Sequence, residues 1–416
     1  MKQVLDYIDT LEALIIELQT ELCKRPAISP DSDGEGELDK CEFLEAWLRN
    51  KGIVYLKRYD APDARAKGGV RPNLIATIEG KEKEGYNTEK SCFWIMSHMD
   101  VVPPGEASLW KTDPWTASLD QKDGKKCIIG RGVEDNQQGL ISSVLAALAL
   151  IKQGIKPSRT VKLLFVSDEE NGSNYGVGWL MKEHPELFNP NDSALVPDSG
   201  DNEGASIEVA EKNVAWLRFV THGIQAHGSR PDQGCNAHLA GADFAVQLYY
   251  GLTKKFTAKD PLFAPDYSTF QLTKKEANIP NVNTIPAEDV FYYDMRILPC
   301  YPIDTVLKEV DVIKAEIQNK YGVTIEYSLV NSMESKPTSA DAPLVKLLEK
   351  QIEAVYGVKA KPVGIGGGTV AAYLRNSGID SVVWYRSSDS AHQPNEYAFL
   401  DYILGDAKIM ALMMME

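Results

Sequence analysis

The sequence predicts an α/β protein whose doubly wound, mixed sheet is interrupted by a smaller inserted α+β domain. Strand and helix patterns alternate up to about Asp201, which is typical of a doubly wound fold. The insert has the order strand, helix, two strands, helix, strand, which is the order of a ferredoxin-like unit. After the insert the alternating pattern resumes with a helix at residues 344–355. We therefore expect residues 1–211 and 333–416 to form one discontinuous domain around the insert 212–332.

Three short apolar runs in the first domain are predicted to be buried strands. They have the length and the strand-forming residues expected of strands covered on both faces, and they occupy residues 92–96, 161–166 and 194–197. Residues 140–151 form a longer apolar run that predicts a helix, although one too short to span a bilayer. Residues 1–24 carry apolar side chains at the spacing of an amphipathic helix. The first domain should therefore consist of helices packed on a sheet of buried strands.

The elements of the insert are predicted from the same kinds of pattern. In chain order they are strand 214–220, helix 236–252, strand material at 283–297, a helix that ends near residue 320, and strand 323–329. Pro299 and Pro302 end the strand material, because proline cannot donate to a sheet. Asp304 is a plausible N-cap of the second helix.

Composition and charge exclude some classes of partner. The formal net charge of −15 argues against nucleic acid and anionic membrane surfaces, because both need a basic footprint. The six cysteines form no C-x-x-C pair, which favours small buried residues in a reducing compartment over a disulfide framework. The N-terminal helix carries acidic residues that are foreign to a signal peptide. We therefore expect a cytoplasmic protein.

Six residues of metal-binding types lie near predicted strand ends or tight turns across most of the chain. They are His98, Asp135, Glu169, Glu170, Asp198 and His392. Any one of them alone is more often an ordinary surface, core or turn residue. Their recurrence after separate apolar strands is a stronger signal, because the carboxyl ends of strands in an open α/β sheet meet at one edge. The sequence therefore predicts a hydrolase site with two metal ions.

This set of side chains suits a pair of zinc ions. Zinc binds imidazole nitrogen and carboxylate oxygen, and a catalytic zinc keeps one position open. Two ions about 3.5–4 Å apart can share a bridging carboxylate and lower the pKa of a water held between them. A separate carboxylate must take the proton of that water and pass it to the leaving nitrogen. Adjacent acids such as Glu169 and Glu170 can divide these tasks between them.

Four segments of the chain resemble the M20 zinc metallopeptidases, specifically the branch of acetylornithine deacetylases and succinyl-diaminopimelate desuccinylases. They match in order and spacing along almost the whole chain, and they are residues 97–103 (SHMDVVP), 130–135 (GRGVED), 167–172 (SDEENG) and 391–396 (AHQPNE). The resemblance implies a zinc-exopeptidase-like catalytic domain with an inserted lid that also mediates dimerisation. The chain departs from the family pattern at Gln137, where many relatives have lysine.

The resemblance also assigns a role to each of the six residues. It implies one zinc bound by His98 and Asp198, another bound by Glu170 and His392, and a bridge between them by Asp135. Glu169 is then the general base, and Asp100 orients His98, a role that ligating histidines generally require. The implied cofactor is two Zn²⁺ per chain, with Co²⁺ or Mn²⁺ as alternative metals.

The insert contributes further residues that the resemblance implicates. His227 follows a strand and matches a histidine that donates a hydrogen bond to the developing oxyanion, often across a dimer interface. Asn283 and Arg296 match residues that grip the substrate carboxylate, and guanidinium suits this task because it pairs bidentately with carboxylate. Gly367 and Gly368 belong to a glycine-rich loop that allows close backbone approach to the substrate. A plain tight turn is an equally good interpretation of that loop.

The function implied by the resemblance is hydrolysis of an amide bond in an N-acyl amino acid or small peptide with a free carboxylate. A water bridging two zinc ions would attack, with Glu169 as the base. A dipeptidase or aminopeptidase would use the same machinery, but the short insert favours a deacylase-like substrate and a homodimer formed through the lid. A non-catalytic binding homologue is a third hypothesis. It predicts that a ligand or the base is replaced, whereas this chain retains all six residues.

Overall fold

The computed structural model describes residues 1–81 and 91–416 of the chain, which form two compact units. Unit 1 comprises Met1–Val209, Thr338–Val363 and Thr369–Glu416, and unit 2 comprises Ala210–Pro337 and Gly364–Gly368. The chain therefore leaves unit 1, builds most of unit 2 and returns. Whereas the sequence places the glycine-rich loop in the first domain, its residues 364–368 cluster with unit 2.

The helices and strands of both units are numbered in chain order. The helices are α1 Lys2–Ile8, α2 Glu12–Cys23, α3 Leu38–Lys51, α4 Gln137–Lys152, α5 Val177–Glu183, α6 Ala237–Lys255, α7 Ile303–Tyr321, α8 Pro343–Tyr356, α9 Ala371–Asn376 and α10 Leu400–Met415. The strands are β1 Leu56–Pro62, β2 Val70–Ile78, β3 Phe93–His98, β4 Ser118–Lys122, β5 Lys125–Ile129, β6 Val161–Val166, β7 Ser193–Asp201, β8 Ser206–Glu211, β9 Asn213–His222, β10 Ala226–His227, β11 Thr269–Lys275, β12 Thr284–Ile285, β13 Glu288–Ile297, β14 Thr324–Met333, β15 Lys361–Ile365, β16 Asp380–Arg386 and β17 Tyr397–Phe399.

The main sheet of unit 1 has eight strands in the order β1-β2-β6-β3-β7-β16-β8-β15. The four central strands β6, β3, β7 and β16 are parallel, whereas β1 and β2 pair antiparallel, so the sheet is mixed. Parallel strands deliver their carboxyl ends to one edge of a sheet. The ends of β3, β6 and β7 therefore bring His98, the turn after Val166, and Asp198 to the same edge.

Helices cover both faces of this sheet, which explains why its strands are continuous apolar runs. On one face, α4 is buried along almost its whole length and packs against β3 and α10. On the other face, Trp94 and Met96 of β3 pack in one cluster with Leu180 of α5 and Leu374 of α9. Each fully buried side chain of this kind contributes about 1.5–3 kcal/mol. The strands that carry the site residues are therefore held rigidly.

Two local predictions are wrong in detail. The sequence predicts one amphipathic helix over residues 1–24, whereas the structure has α1 and α2. The first helix ends at Ile8, and the hydroxyl of Thr10 donates to the carbonyl of Tyr7 at 2.7 Å, which satisfies one of the last carbonyls of α1. The predicted N-cap of α7, Asp304, lies in the first turn instead. Pro302 is the N-cap, and a carboxylate in the first turn interacts favourably with the helix dipole.

The sheet of unit 2 has the order β11-β13-β9-β14, and all neighbouring strands are antiparallel. Its core is aromatic: the ring of Phe219 on β9 stacks on Phe291 of β13 at 5.0 Å and meets Phe244 of α6 edge-on at 5.2 Å. The strand order and the chain order β9-α6-β11-β13-α7-β14 are those of a ferredoxin-like unit. A mixed α/β sheet with an inserted ferredoxin-like unit confirms the predicted fold class.

The apolar run at residues 140–151 lies within helix α4. Among residues 1–81 and 91–416, no helix is both long and apolar enough to cross a membrane.

Candidate metal centre

The structure brings the six residues of metal-binding types together at the carboxyl edge of the unit 1 sheet. His98 is the last residue of β3, Glu169 and Glu170 lie in the turn after β6, Asp198 lies in β7, Asp135 precedes α4, and His392 lies between β16 and β17. Unit 1 is built from three segments of the chain, two of which follow the insert, so His392 reaches this edge although it comes after the insert.

The two imidazole rings converge on one carboxylate. The Nε2 atom of His98 lies 2.9 Å from Oδ1 of Asp135 and 3.2 Å from Oδ1 of Asp198. The Nε2 atom of His392 lies 3.0 Å from Oδ2 of Asp135 and 3.1 Å from Oε1 of Glu170. Each oxygen of Asp135 therefore faces a different histidine, with a second carboxylate beside each.

The donor atoms fit a pair of metal ions. One group comprises His98, Glu169 and Asp198, and another comprises His98, Asp135 and Glu170; the ligand atoms within each group lie within 4.8 Å of one another. Imidazole nitrogen with carboxylate oxygen is a donor set that zinc accepts. Both acids of the Glu169–Glu170 pair lie within ligand distance, so distance alone does not distinguish a ligand from a base.

Neighbouring carboxylates raise the pKa values of both histidines. Burial by itself lowers the pKa of His98, but its hydrogen bonds with carboxylates, first that of Asp100 and then that of Asp135, raise the pKa well above its usual value. Hydrogen bonds with Asp135 and Glu170 raise the pKa of His392 to about 10. Burial works to raise the pKa of Asp135, but the two histidines hold that pKa far below its usual range. A metal ion would take the place of the imidazole protons, because histidine binds metal in its neutral form.

Glu169 has a different electrostatic environment. Burial, followed by the charge of Asp198, raises the pKa of Glu169 well above its usual value. A carboxylate with a raised pKa is a stronger base, so it takes up a proton more readily than an ordinary glutamate does. This property is what a general base that later acts as an acid requires.

Asp100 supports both His98 and the turn that carries the acid pair. The backbone carbonyl of Asp100 lies 2.9 Å from Nδ1 of His98, closer than the carboxylate at 3.5 Å. The two carboxylate oxygens accept the backbone N–H groups of Glu169 and Glu170, each at 3.0 Å. The backbone of Asp100 therefore orients the ring so that Nε2 faces the cluster, while its side chain fixes the turn.

Two buried carboxylates that the sequence reasoning did not single out join the loops carrying Asp135 and His392. Glu134 accepts hydrogen bonds from the loop before His392, and Glu396 accepts hydrogen bonds from the loop before Asp135. Arg131 adds to this link, because its guanidinium contacts Glu396 at 2.5 Å and the carbonyl of His392 at 3.3 Å. Their sequence signal is that they lie within the family-like segments 130–135 and 391–396, which also contain Asp135 and His392.

A buried ion network lies beneath the Glu169 turn. Nε of Arg71 donates to Glu37 at 2.6 Å, and its Nη2 lies 3.3 Å from Oδ1 of Asp168. All three side chains are almost completely buried. Asp168 has a left-handed backbone (φ 64°), which aspartate tolerates better than most residues, and it begins the turn directly before Glu169. The sequence alone does not indicate this role of Arg71, because its partners are remote in sequence.

Gln137, at the departure from the family pattern, is buried. Within the described part of the chain, neither polar atom of its side chain has a hydrogen-bond partner. The ligand-bearing residues do not use this side chain.

The candidate substrate residues of the insert lie in unit 2. His227 is exposed on β10, and its Nδ1 accepts the backbone N–H of Ser229 at 3.2 Å, which places the ring proton on Nε2. Asn283 is its neighbour, because the carbonyl of Asn283 accepts the N–H of Gly228 at 2.7 Å. Nε2 of His227 is thus a donor that faces away from its own turn.

Arg296 lies elsewhere in unit 2. Its Nε and Nη2 atoms pair with the carboxylate of Asp294 at 2.7 and 2.9 Å, and its Nη1 donates to the carbonyl of Gly366 at 2.8 Å. A Cβ added to Gly367 would meet its nearest atom only at 3.8 Å, and one added to Gly368 would meet Sδ of Met333 at 3.3 Å. Local packing in unit 2 therefore does not itself demand glycine at position 367.

His227 and Arg296 lie in different parts of unit 2, because His227 is on β10, which pairs with β12 in a two-stranded sheet, whereas Arg296 is near the end of β13 in the four-stranded sheet. The hairpin of His227 is joined to the start of β13, where Gly223 donates to Ala287. Arg296 lies eight residues after Glu288 on the same strand. A strand rises about 3.3 Å per residue, so the two ends of this segment are about 26 Å apart.

Comparisons with known proteins identify the family of this chain. The model of peptidase family M20/M25/M40 matches residues 94–416. An uncharacterized metallohydrolase of Methanocaldococcus jannaschii is 36% identical over 412 residues, covering 95% of this chain and 97% of that protein. A succinyl-diaminopimelate desuccinylase of Sulfurovum sp. is 26% identical over 394 residues, covering 94% and 95%. A di-peptidase of Saccharomyces cerevisiae shares the fold, with a TM-score of 0.73, 16% identity, and coverage of 100% and 98%. The chain therefore belongs to the M20 peptidase family and is an amidohydrolase or metallopeptidase.

Proposed function

We propose that this protein hydrolyses an amide bond next to a free carboxylate, with two zinc ions held at the carboxyl edge of the unit 1 sheet. The observation that carries the proposal is the position of Asp135, whose two oxygens face the Nε2 atoms of His98 and His392 at 2.9 and 3.0 Å. A carboxylate between two imidazoles is what a bridging ligand requires. Two ions in such a site lower the pKa of water and polarise the substrate carbonyl.

Each ion would have its own pair of ligands besides the bridge. His98 and Asp198 lie 3.2 Å apart on one side of Asp135, and His392 and Glu170 lie 3.1 Å apart on the other. These are the pairs that the family resemblance implies. Co²⁺ or Mn²⁺ could replace Zn²⁺, because both accept nitrogen and oxygen donors.

Glu169 acts as the general base in this proposal. Its raised pKa allows it to take a proton from the attacking water and to donate that proton to the leaving nitrogen. Asp100 holds the backbone of Glu169 and thereby fixes the direction of its side chain. Nε2–H of His227 would donate to the oxygen that becomes negative in the transition state.

The substrate carboxylate is assigned to unit 2, the proposed lid and dimerisation domain. Arg296 retains N–H groups at the outer ends of Nη1 and Nη2 after its pairing with Asp294 and Gly366. The backbone of Gly367 and Gly368 would complete the carboxylate site beside Arg296, whereas Asn283 lies beside His227 and would reach the site together with it.

The separation within unit 2 supports a homodimer. A small substrate cannot easily contact both His227 and Arg296 of one chain if these side chains belong to segments about 26 Å apart. We therefore assign Arg296 and His227 at one active site to different subunits, joined through unit 2. A cytoplasmic location completes the proposal.

Two substrate classes remain to be distinguished, namely N-acyl amino acids and small peptides. The desuccinylase relative aligns over 94% of this chain and supports an N-acyl amino acid. The likeness to the di-peptidase concerns the fold, so a dipeptidase or aminopeptidase activity is the second candidate. A non-catalytic homologue is the least supported, because the six residues are all present.

The test is an activity panel with the metal-loaded protein. N-acetylornithine, N-succinyl-diaminopimelate and a set of dipeptides would each be assayed with zinc, cobalt and manganese. We expect turnover of an acylated amino acid, and we expect Glu169→Gln to lose turnover while retaining metal. Equal turnover in Glu169→Gln would refute the role of the base, and a metal-free wild-type protein would refute the proposed site.

A further inference from the structure

We propose that Glu134 and Glu396 are positioning residues that hold the loops of Asp135 and His392 in register, and that Glu134 governs metal binding specifically on the His392 side. The inference rests on the proposed function, since it assumes that these residues bind metal. It concerns two buried carboxylates whose hydrogen bonds go to donors of the two loops rather than to the side chains of the candidate ligands.

Glu134 is fastened to the loop before His392. Its Oε1 accepts the hydroxyl of Ser387 at 2.7 Å and the backbone N–H of Ser388 at 2.5 Å. Its Oε2 accepts the backbone N–H of Ser390 at 2.8 Å and the hydroxyl of the same residue. The carboxylate is fully buried. Four donors from one loop therefore converge on a single side chain.

Glu396 makes the reverse connection. Its Oε1 accepts the backbone N–H groups of Glu134 and Asp135 at 2.9 and 3.0 Å. Its Oε2 accepts the N–H of Gly132 at 3.0 Å and the guanidinium of Arg131. Each loop thus supplies a carboxylate that accepts hydrogen bonds from the other loop. These two sets of hydrogen bonds, which we call the ties, join the loops that carry Asp135 and His392.

The two halves of the centre depend on these ties to different degrees. His98 and Asp198 lie on strands that the sheet holds, so they do not need the ties. His392 lies in a loop with a left-handed backbone (φ 63°), and its position relative to Asp135 depends on the bonds to Glu134 and Arg131. Loss of Glu134 should therefore release His392 alone, whereas loss of Glu396 should also loosen Asp135, which belongs to both halves.

Glutamine cannot replace either carboxylate. Each oxygen of Glu134 accepts a hydrogen bond from a backbone N–H, and a backbone N–H can donate a hydrogen bond but cannot accept one. Whichever way a glutamine amide is turned, its NH₂ group faces a donor. A buried donor without an acceptor is costly, so the loop moves away. If Glu134→Gln acted only by removing a negative charge, it would weaken metal binding at both sites to a similar extent. A loss of affinity at the His392 side alone would therefore show that Glu134 acts by positioning the loop.

The experiment is a calorimetric titration of the chelator-treated protein with Zn²⁺. We expect two ions per wild-type chain, and in Glu134→Gln a roughly 10–100-fold weaker affinity for one ion only. His392→Ala marks that ion, because it removes a ligand from the same half. Glu396→Gln should weaken the affinity for both ions. Ser387→Ala removes one of four donors, so it should weaken the same ion by a smaller factor and is expected to fold normally.

Asp192→Asn is the matched control. This buried carboxylate accepts the backbone N–H groups of Cys92 and Asn189 and the indole N–H of Trp94, at the opposite edge of the sheet from the metals. It should lose stability and keep both metal affinities. Unchanged affinities in Glu134→Gln, or equal losses at both sites, would overturn the inference while the proposed function stands.

Hydrogen exchange of the metal-free protein provides a readout that does not need metal. Amides of residues 387–392 should exchange faster in Glu134→Gln than in the wild type or in Asp192→Asn. Equal protection would show that Glu134 does not hold the loop. If the wild-type protein binds neither ion, the proposed function fails, and the exchange result still decides whether the tie exists.

Discussion

The substitution Arg71→Met tests the buried network beneath the Glu169 turn. Methionine is an unbranched side chain of similar length, so the change removes the charge with little loss of volume. The carboxylates of Glu37 and Asp168 stay buried but lose the guanidinium that lies 2.6 and 3.3 Å from them. The expected result is a large loss of stability.

The magnitude follows from the burial of all the partners. Breaking a buried ion pair by removing one partner costs about 3–5 kcal/mol, because the remaining charge has no compensation. Burial already raises the pKa values of Glu37 and Asp168, and without Arg71 both should rise further. Protonation of these acids in the folded state relieves the penalty. The loss in free energy of unfolding of the variant, relative to the wild type, should therefore be largest at a pH above the raised folded-state pKa values. It should become smaller as the pH falls through those values.

Chemical denaturation at several pH values, followed by tryptophan fluorescence, provides the assay. Trp94 and Trp384 are fully buried in unit 1 and report on its unfolding. Arg375→Met is the matched control, because Arg375 forms a buried pair with Glu208 at 3.1 Å. Both variants should lose stability, but only Arg71→Met should also lose turnover, since Asp168 begins the turn that carries Glu169.

The outcome that would contradict this reasoning is specific. A loss below about 1 kcal/mol is the value of an exposed ion pair and would mean that the network contributes little. A deficit that does not change with pH would mean that Glu37 and Asp168 are not the charges left unpaired. Equal effects of the two variants on turnover would remove the link between Arg71 and the turn.

Three further predictions concern unit 2 and the acid turn. His227→Ala should lower kcat roughly 10²–10³-fold. Mixing the His227→Ala protein with the Glu169→Gln protein should restore part of the turnover, because a mixed dimer would contain one complete site. No recovery would mean that His227 acts in the site of its own subunit. Arg296→Lys should raise KM with little change in kcat, because lysine cannot pair bidentately; steady-state kinetics that show a loss in kcat alone would contradict this. Asp100→Asn should weaken metal binding about 10–100-fold in calorimetry, and unchanged binding would mean that the turn does not need the carboxylate.

The candidate ligands could be predicted from the sequence because each follows a local pattern. His98 ends an apolar run, and Glu169 and Asp198 follow or end others, so buried parallel strands bring them to one edge without further information. His392 required more, since it meets Asp135 only if the chain leaves unit 1 and returns. The ferredoxin-like order of the insert supplied that condition.

The supporting residues could not be predicted in the same way. Glu134 and Ser390 are 256 positions apart, and Glu396 and Asp135 are 261 positions apart. A buried carboxylate held by backbone N–H groups has no sequence pattern, because every residue except proline can supply the donor.

The most direct test of the central claim is a crystal structure of the zinc-loaded protein with anomalous data collected at the zinc absorption edge. The claim is that the carboxylate of Asp135 bridges two ions. We predict two anomalous peaks about 3.5–4 Å apart, one beside His98 and Asp198, the other beside Glu170 and His392, with Asp135 between them. A single peak, or two peaks that do not share Asp135, would contradict it.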